Sequence, residues 1–286
     1  MKSHMLVTAE WLAARAGAPD VLVVDCRKDL ADPARAPRDY AEAHVPGAVR
    51  AELDRDLSDL SRHGLGRHPL PDASAFSKCL SRWGWVPDRT VIAYDDAGGA
   101  LAAARLWWML RIAGVTRAAV LDGGIAAWRA EGQPVTGDVP AVVPTAVDLS
   151  FDAAELVGYD ELAQGLRDDT VTLIDARAGA RYRGEVEPLD RVAGHVPGAL
   201  NRPYGDNLDA TGRFKQPDAL RREFEALIGD RDPRRVVHMC GSGVTACHNL
   251  LAMEHAGLNG SRVFAPSWSG WSSDPARPVE TGSSRP

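Results

Sequence analysis

The sequence predicts an α/β protein built from two tandem copies of one domain, each a parallel β-sheet with helices on both faces. Three observations favour this fold class. Short apolar runs alternate with helical patterns of roughly 10 to 15 residues, which is typical of parallel sheets covered by helices. Motifs of the first half return in the same order in the second. The 286 residues, 45% of them hydrophobic, are enough for two cores.

The repeat is visible in motifs spaced by about 150 residues. VLVVDCR, which begins at Val21, returns as VTLIDAR at Val171, and His-Val-Pro-Gly-Ala occurs at His44 and again at His195. Each copy is predicted to run helix, strand ending in Asp-x-Arg, loop, HVPGA, helical segment, strand, loop, helix and a last short strand. Residues 137–144 contain a glycine and two prolines, which favours an extended linker. We therefore predict domains at 1–140 and 141–286.

Composition excludes several classes of partner. The net charge of -6, with no basic run, argues against nucleic acid and against an anionic membrane surface. No apolar run approaches the roughly 18 residues that span a bilayer, and no secretory signal pattern opens the chain. Residues 1–5 resemble an expression scar, with Met5 the expected native start.

The four cysteines form no CxxC pair and no disulfide framework, so we expect reduced thiols and a cytoplasmic protein. They are Cys26, Cys79, Cys240 and Cys247. A zinc site from Cys240 and Cys247 with His238 and His248 is only weakly indicated, because the usual short cysteine pair is missing. We expect neither a metal nor an organic cofactor.

Residues 236–251 are predicted to form a strand, a tight loop and a helix, because an apolar run ends at Cys240 and a helical pattern follows Gly-Ser-Gly. Cys240 would then face the first turn of a helix. A helix N-terminus and a loop of successive backbone N–H groups both favour negative charge. A cysteine held there is expected to have a lowered pKa and to be a nucleophile at neutral pH.

The loop that begins at Cys240 reads CGSGVTA, and it resembles the active-site loop of the 3-mercaptopyruvate sulfurtransferases of the rhodanese superfamily. The related thiosulfate sulfurtransferases typically have Arg-Lys where this chain has Gly241 and Ser242. The resemblance covers nearly the whole chain. It implies two tandem rhodanese-like domains and a persulfide formed on Cys240. The donor's sulfur is expected to meet the loop formed by Gly241, Gly243, Val244 and Thr245.

A donor that carries a carboxylate needs arginine, because a planar guanidinium holds a carboxylate with two hydrogen bonds. Arg181 stands where the family has its first carboxylate-binding arginine. The second family arginine lies a few residues before Gly-His-x-Pro-Gly, and the spacing here departs from the pattern. Arg191 is the candidate at that place, and the spacing leaves its alignment with the family arginine open.

Ser242 is expected to act as a proton donor or shuttle beside the nucleophile. In the mercaptopyruvate enzymes the serine is proposed to work with a histidine and an aspartate from the first domain. The resemblance points to His68 and Asp54 for these roles, with His63 close to His68 in the sequence. Such a carboxylate would fix the imidazole tautomer, and the imidazole would tune the hydroxyl.

The first copy is expected to be catalytically silent. Asp95 stands where the second copy has Cys240, and a carboxylate cannot carry a transferred sulfur. His44 and His195 occur in both copies, which favours a structural role. Asp-x-Arg at the end of the first strand of each copy likewise indicates an ion pair.

The predicted function is transfer of sulfur from 3-mercaptopyruvate, through a Cys240 persulfide, to a thiol or cyanide. A thioredoxin-like protein is one candidate acceptor. The alternative is thiosulfate:cyanide sulfur transfer through the same persulfide, and a redox-sensing module with Cys247 as resolving thiol is a third interpretation. A phosphatase is disfavoured, because no arginine follows the loop until Arg262.

Overall fold

The structure is a computed structural model that describes residues 5–283. The chain forms two compact units. The first contains the described residues up to Asp59, together with Pro71–Asp152 and Ala210–Phe214. The second contains Leu60–Leu70, Ala153–Asp209 and the described residues from Lys215 onward. Residues 1–4, which belong to the predicted expression scar, lie outside the described part of the chain.

The first unit is a five-stranded parallel sheet with the strand order β1-β5-β4-β2-β3. Its strands are β1 (Leu6–Val7), β2 (Val21–Asp25), β3 (Val49–Arg50), β4 (Thr90–Tyr94) and β5 (Ala118–Leu121). Its helices are α1 (Ala9–Ala13), α2 (Arg35–Glu42), α3 (Leu53–Asp56), α4 (Ala73–Arg82), α5 (Ala103–Ile112) and α6 (Gly124–Ala130). Every residue of β2 is buried, so both faces of the sheet are covered.

The second unit is a four-stranded parallel sheet with the order β7-β6-β8-β9. Its strands are β6 (Thr172–Asp175), β7 (Leu200–Asn201), β8 (Val236–Met239) and β9 (Arg262–Val263). Its helices are α7 (Tyr159–Arg167), α8 (Gly179–Tyr182), α9 (Pro217–Ile228), α10 (Ala246–His255) and α11 (Ser267–Trp271). All residues of β6 and β8 are buried. The predicted α/β class with parallel sheets is confirmed.

The two sheets share one topology, as the sequence repeat predicts. Read from β5 to β3 the first sheet has the order β5-β4-β2-β3, and the second has the equivalent order β9-β8-β6-β7. In the second unit, an isolated parallel bridge between Leu156 and Val263 takes the position that the β1–β5 pairing has in the first sheet. The Asp-x-Arg ion pairs are present in both units, with Nη2–Oδ2 distances of 2.6 Å for Arg27–Asp25 and for Arg177–Asp175.

The repeated histidines are structural, as predicted. His44 stacks on Tyr40 with ring centroids 4.0 Å apart, and its Nδ1 lies 2.6 Å from the Tyr40 carbonyl oxygen. His195 stacks on Tyr182 at 3.8 Å, with Nδ1 2.8 Å from the Tyr182 carbonyl oxygen. Both rings are buried, and these contacts join each histidine to the helix that precedes it.

The division into compact units differs from the predicted boundary at residue 140. Residues 141–152 belong to the first unit, because their backbone groups bond to it: the Asp152 N–H donates to the Ile112 carbonyl at 2.7 Å. The segment Leu60–Leu70 belongs to the second unit although it comes from the first half of the sequence. Neither composition nor periodicity indicates that a segment of the first half packs with the second unit.

No helix within residues 5–283 is long and apolar enough to cross a membrane.

Candidate active site

The candidate nucleophile lies at the carboxyl end of β8, a central strand of the second sheet. Cys240 directly follows the strand, and α10 begins six residues later. Its side chain is almost completely buried. The strand, loop and helix predicted for residues 236–251 are therefore present, and ligands of parallel α/β sheets bind at this end of the strands.

The loop directs a backbone amide to the sulfur. The Gly243 N–H donates to Cys240 Sγ at an N–S distance of 3.2 Å. Gly243 has a φ of +80°, a left-handed conformation that glycine adopts without steric cost. Val244 is buried and Thr245 stands at the N-cap of α10, so both lie where the loop turns into the helix. A donor of this kind stabilises a thiolate or the terminal sulfur of a persulfide.

Residues at the start of α11 hold the loop by its backbone. The Cys240 N–H donates to Ser267 Oγ at 3.1 Å, and the Trp268 N–H donates to the Cys240 carbonyl at 2.9 Å. The Ser269 N–H donates to the Gly241 carbonyl at 2.9 Å. Ser267 is buried with a φ of +53°, a conformation that non-glycine residues rarely adopt. Sequence reasoning missed Ser267, because its role depends on a contact 27 residues from Cys240.

The segment Leu60–Leu70 is fixed against the start of α11 within the second unit. A Cβ built on Gly66 would lie 2.4 Å from the Pro266 carbonyl oxygen, so only glycine allows this approach. The Arg67 N–H donates to Ser269 Oγ at 3.0 Å. These contacts bring two side chains of the segment, those of Arg67 and His68, to the cysteine loop.

Ser242 and His68, the pair to which the family resemblance assigns proton transfer, lie within hydrogen-bonding reach of each other. Their Oγ and Nδ1 atoms are 2.8 Å apart, which is hydrogen-bonding distance. Ser242 is buried and His68 is half-buried, whereas His63 is exposed. Asp54 lies in α3 of the first unit, where its Oδ2 pairs with Lys28 Nζ at 2.6 Å.

Arg181 lies at the end of α8 in an ion-pair cluster. Its Nη2 is 2.7 Å from Glu187 Oε1 and 3.3 Å from Asp190 Oδ2. Burial acts to raise the pKa of Glu187, but hydrogen bonds from Arg181 and from two backbone N–H groups hold that pKa below its usual value. Glu187 therefore stays ionised at neutral pH and fixes the Arg181 guanidinium.

A second guanidinium beside the loop comes from Arg67, a residue that sequence reasoning missed. A Cβ built on Gly241 would lie 2.9 Å from Arg67 Nη2 and 3.5 Å from both Nη atoms of Arg181. Arg67 also forms an ion pair with Asp190. Arg191 is exposed. The only sequence signal for Arg67 is its place directly before His68, because 174 residues separate it from Gly241.

The equivalent loop of the first unit binds its own carboxylate. Asp95 follows β4 and is completely buried. Its two oxygens accept five backbone N–H bonds at 2.7 to 3.2 Å, which come from Ala97, Gly99, Leu101, Ala102 and Ala103. The loop after the equivalent strand thus directs backbone N–H groups at an acceptor in both units, five at a carboxylate in the first and one at a sulfur in the second.

The weakly indicated zinc ligands do not converge. Cys247 Sγ donates to the Gly243 carbonyl at 3.4 Å, and His248 Nδ1 lies 3.1 Å from Asn207 Nδ2. Burial lowers the pKa of His238 to about 3, with a further contribution from the charge of Arg202. Within residues 5–283 no group of three or more His, Cys, Asp or Glu side chains is arranged to hold a metal ion.

Comparisons with known proteins agree on one family. The profile of the Rhodanese-like domain matches residues 8–131 and 159–274. A Pseudomonas aeruginosa protein named "Probable 3-mercaptopyruvate sulfurtransferase" is 47% identical over 99% of this chain and 100% of its own length. The thiosulfate sulfurtransferase of Bos taurus is 32% identical over 93% of this chain and 91% of its own. The solved 3-mercaptopyruvate sulfurtransferase from Leishmania major superposes with a TM-score of 0.84 at 29% identity, covering 96% of this chain and 75% of that one.

Proposed function

This chain belongs to the rhodanese family and is a sulfurtransferase, and we propose that it takes sulfur from 3-mercaptopyruvate through a persulfide on Cys240. The observation that carries the proposal is the Gly243 N–H aimed at Cys240 Sγ, with two guanidiniums beside the same loop. The amide supports an anionic sulfur, and the guanidiniums support a donor that carries a carboxylate.

The proposed first step is attack of the Cys240 thiolate on the sulfur of mercaptopyruvate. A sulfur–sulfur bond forms, the carbon–sulfur bond of the donor breaks, and its electron pair leaves on carbon as the enolate of pyruvate. The enolate then takes up a proton. The Ser242 hydroxyl, 2.8 Å from His68 Nδ1, is placed to hydrogen-bond the developing enolate oxygen or to pass the proton.

The second step regenerates the thiolate. A thiol or cyanide attacks the outer sulfur of the persulfide, the sulfur–sulfur bond breaks, and its electron pair returns to Cys240 Sγ. The Gly243 N–H stabilises the sulfur anion before and after this step.

We propose a thiol or cyanide as acceptor, a thioredoxin-like protein included, and the cytoplasm as place of action. The four cysteines are free, which supports a reducing compartment.

Thiosulfate is the second candidate donor, favoured by the basic side chains of Arg67 and Arg181 and by the bovine relative. It is a dianion without a carboxylate. The loop itself carries no basic side chain, since Gly241 and Ser242 are neutral, and this favours mercaptopyruvate.

We propose that the first unit, with Asp95 in the place of the cysteine, is the non-catalytic domain.

The experiment that tests the donor is a steady-state comparison in wild type and Arg181→Ala. Wild type should release pyruvate from mercaptopyruvate with a higher kcat/KM than it releases sulfite from thiosulfate. Arg181→Ala should raise the KM for mercaptopyruvate about 10- to 100-fold with a smaller change in kcat, because a lost charge-assisted hydrogen bond removes binding common to ground state and transition state.

Arg183→Ala is the matched control, because Arg183 lies two residues away and, within residues 5–283, its guanidinium pairs only with the exposed Glu185. It should leave both parameters near wild type. Equal KM values for Arg181→Ala and Arg183→Ala would contradict the proposed carboxylate contact. Preferential turnover of thiosulfate by wild type would assign the other donor.

A further inference from the structure

Six charged side chains joined by ion pairs, two of them beside Gly241, form a cluster without net charge. In this cluster of the second unit, three guanidiniums form ion pairs with three carboxylates. They belong to Arg67, Arg177, Arg181, Asp175, Glu187 and Asp190. An incoming donor therefore meets two arginines whose charge is already balanced by carboxylates of the protein.

Asp190 is the carboxylate that joins the two arginines of the loop. One oxygen pairs with Arg67, and the other lies 3.3 Å from Arg181 Nη2. The Asp190 side chain is 6% exposed, whereas that of Arg67 is 30% exposed. Asp190 thus holds Arg67 beside Arg181, and its negative charge lies next to the place where the donor's anionic group would bind.

Glu187 has a different task. It accepts hydrogen bonds from the backbone N–H groups of Leu189 and Asp190 as well as from Arg181, so it shapes the turn that carries Asp190. Its side chain is 3% exposed. Removing Asp190 changes the charge of the cluster more selectively, because within residues 5–283 its carboxylate oxygens bond only to guanidiniums.

We propose that Asp190 is a specificity-determining residue that favours monoanionic over dianionic sulfur donors. The proposal rests on the proposed function and deepens it. Coulomb repulsion grows in proportion to the charge of the incoming anion, so the Asp190 carboxylate disfavours thiosulfate twice as strongly as a single carboxylate. Mercaptopyruvate carries one full charge near neutral pH, that of its carboxylate, because its thiol ionises only at about pH 8.5.

The test compares donors in Asp190→Asn, Asp190→Glu and wild type. Asp190→Asn should raise the ratio of kcat/KM for thiosulfate to kcat/KM for mercaptopyruvate about five- to tenfold, and the increase should shrink as salt is added. If the substitution displaces Arg67 and lowers kcat/KM for both donors equally, the ratio of the two values stays the same. Asp190→Glu keeps the charge and should restore the wild-type ratio.

Glu185→Gln is the matched control, because it removes the same charge from an exposed pair with Arg183. It should leave the ratio unchanged. A ratio that moves equally in Glu185→Gln and Asp190→Asn, or in neither, would overturn the proposal.

Calorimetric titration with sulfate and with pyruvate separates this inference from the proposed function, because it needs no turnover. Asp190→Asn should tighten sulfate binding about five- to tenfold more than pyruvate binding. If wild type turns over neither donor, the proposed function fails, while this titration still decides the role of Asp190. Equal changes for sulfate and pyruvate would reject that role.

Discussion

Cys240→Ser is expected to lower sulfur transfer from either donor by more than about a thousandfold. A serine hydroxyl is a far weaker nucleophile than a thiolate at neutral pH, and it cannot store sulfur as a persulfide. The change is nearly isosteric, so the bond from the Cys240 backbone N–H to Ser267 Oγ should persist. The measurement is pyruvate release from mercaptopyruvate with cyanide or a thiol as acceptor, together with a far-ultraviolet circular dichroism spectrum to verify folding.

Cys247→Ser is the matched control for this substitution. Cys247 is equally buried, and its Sγ donates to the Gly243 carbonyl, a bond that a serine hydroxyl reproduces. Activity should stay within about threefold of wild type. Loss of turnover in Cys247→Ser would show that Cys247 takes part in sulfur transfer, and retained turnover in Cys240→Ser would remove Cys240 from the mechanism. A Cys240–Cys247 disulfide as the sole product of peroxide treatment, with no sulfur transfer by wild type, would favour the redox-sensing interpretation.

Asp95→Ala is expected to lower the free energy of unfolding by about 3–5 kcal/mol. The carboxylate accepts five backbone N–H bonds inside the first unit, and its removal leaves buried donors without their acceptor. Asp95→Asn should cost less, because one amide oxygen still accepts. Urea denaturation followed by circular dichroism measures both, with the slope of the transition compared between variants.

Asp96→Ala provides the comparison at the next position. Asp96 is exposed, so its removal should change the free energy of unfolding by less than about 0.5 kcal/mol. Equal free energies of unfolding for Asp95→Ala and Asp96→Ala would show that the first loop does not depend on its internal carboxylate.

Much of the fold was predictable because it depends on local pattern. The duplication, the parallel sheets and the strand-loop-helix around Cys240 all follow from periodicity and from motifs that recur within the chain. The pairing of Ser242 with His68 was predictable only through the family resemblance, because the two residues are 174 positions apart and no sequence rule links them.

The missed features arise from tertiary contacts. Arg67 reaches the loop because Leu60–Leu70 folds with the second unit, and the close approach at Gly66 that permits this is invisible in one sequence. Ser267 adopts a left-handed backbone conformation that the surrounding fold imposes against local preference. The charge balance around Asp190 likewise depends on arginines from two separate stretches of chain.

One sulfur, that of Cys240, is expected to carry the transferred atom. The most direct measurement is mass spectrometry of the protein after exposure to a single equivalent of mercaptopyruvate without acceptor, followed by peptide mapping. We predict one added sulfur atom, located on the peptide that contains Cys240 and removed by cyanide with release of thiocyanate. Pyruvate release without any sulfur on Cys240, or sulfur found on Cys26, Cys79 or Cys247 instead, would contradict the account.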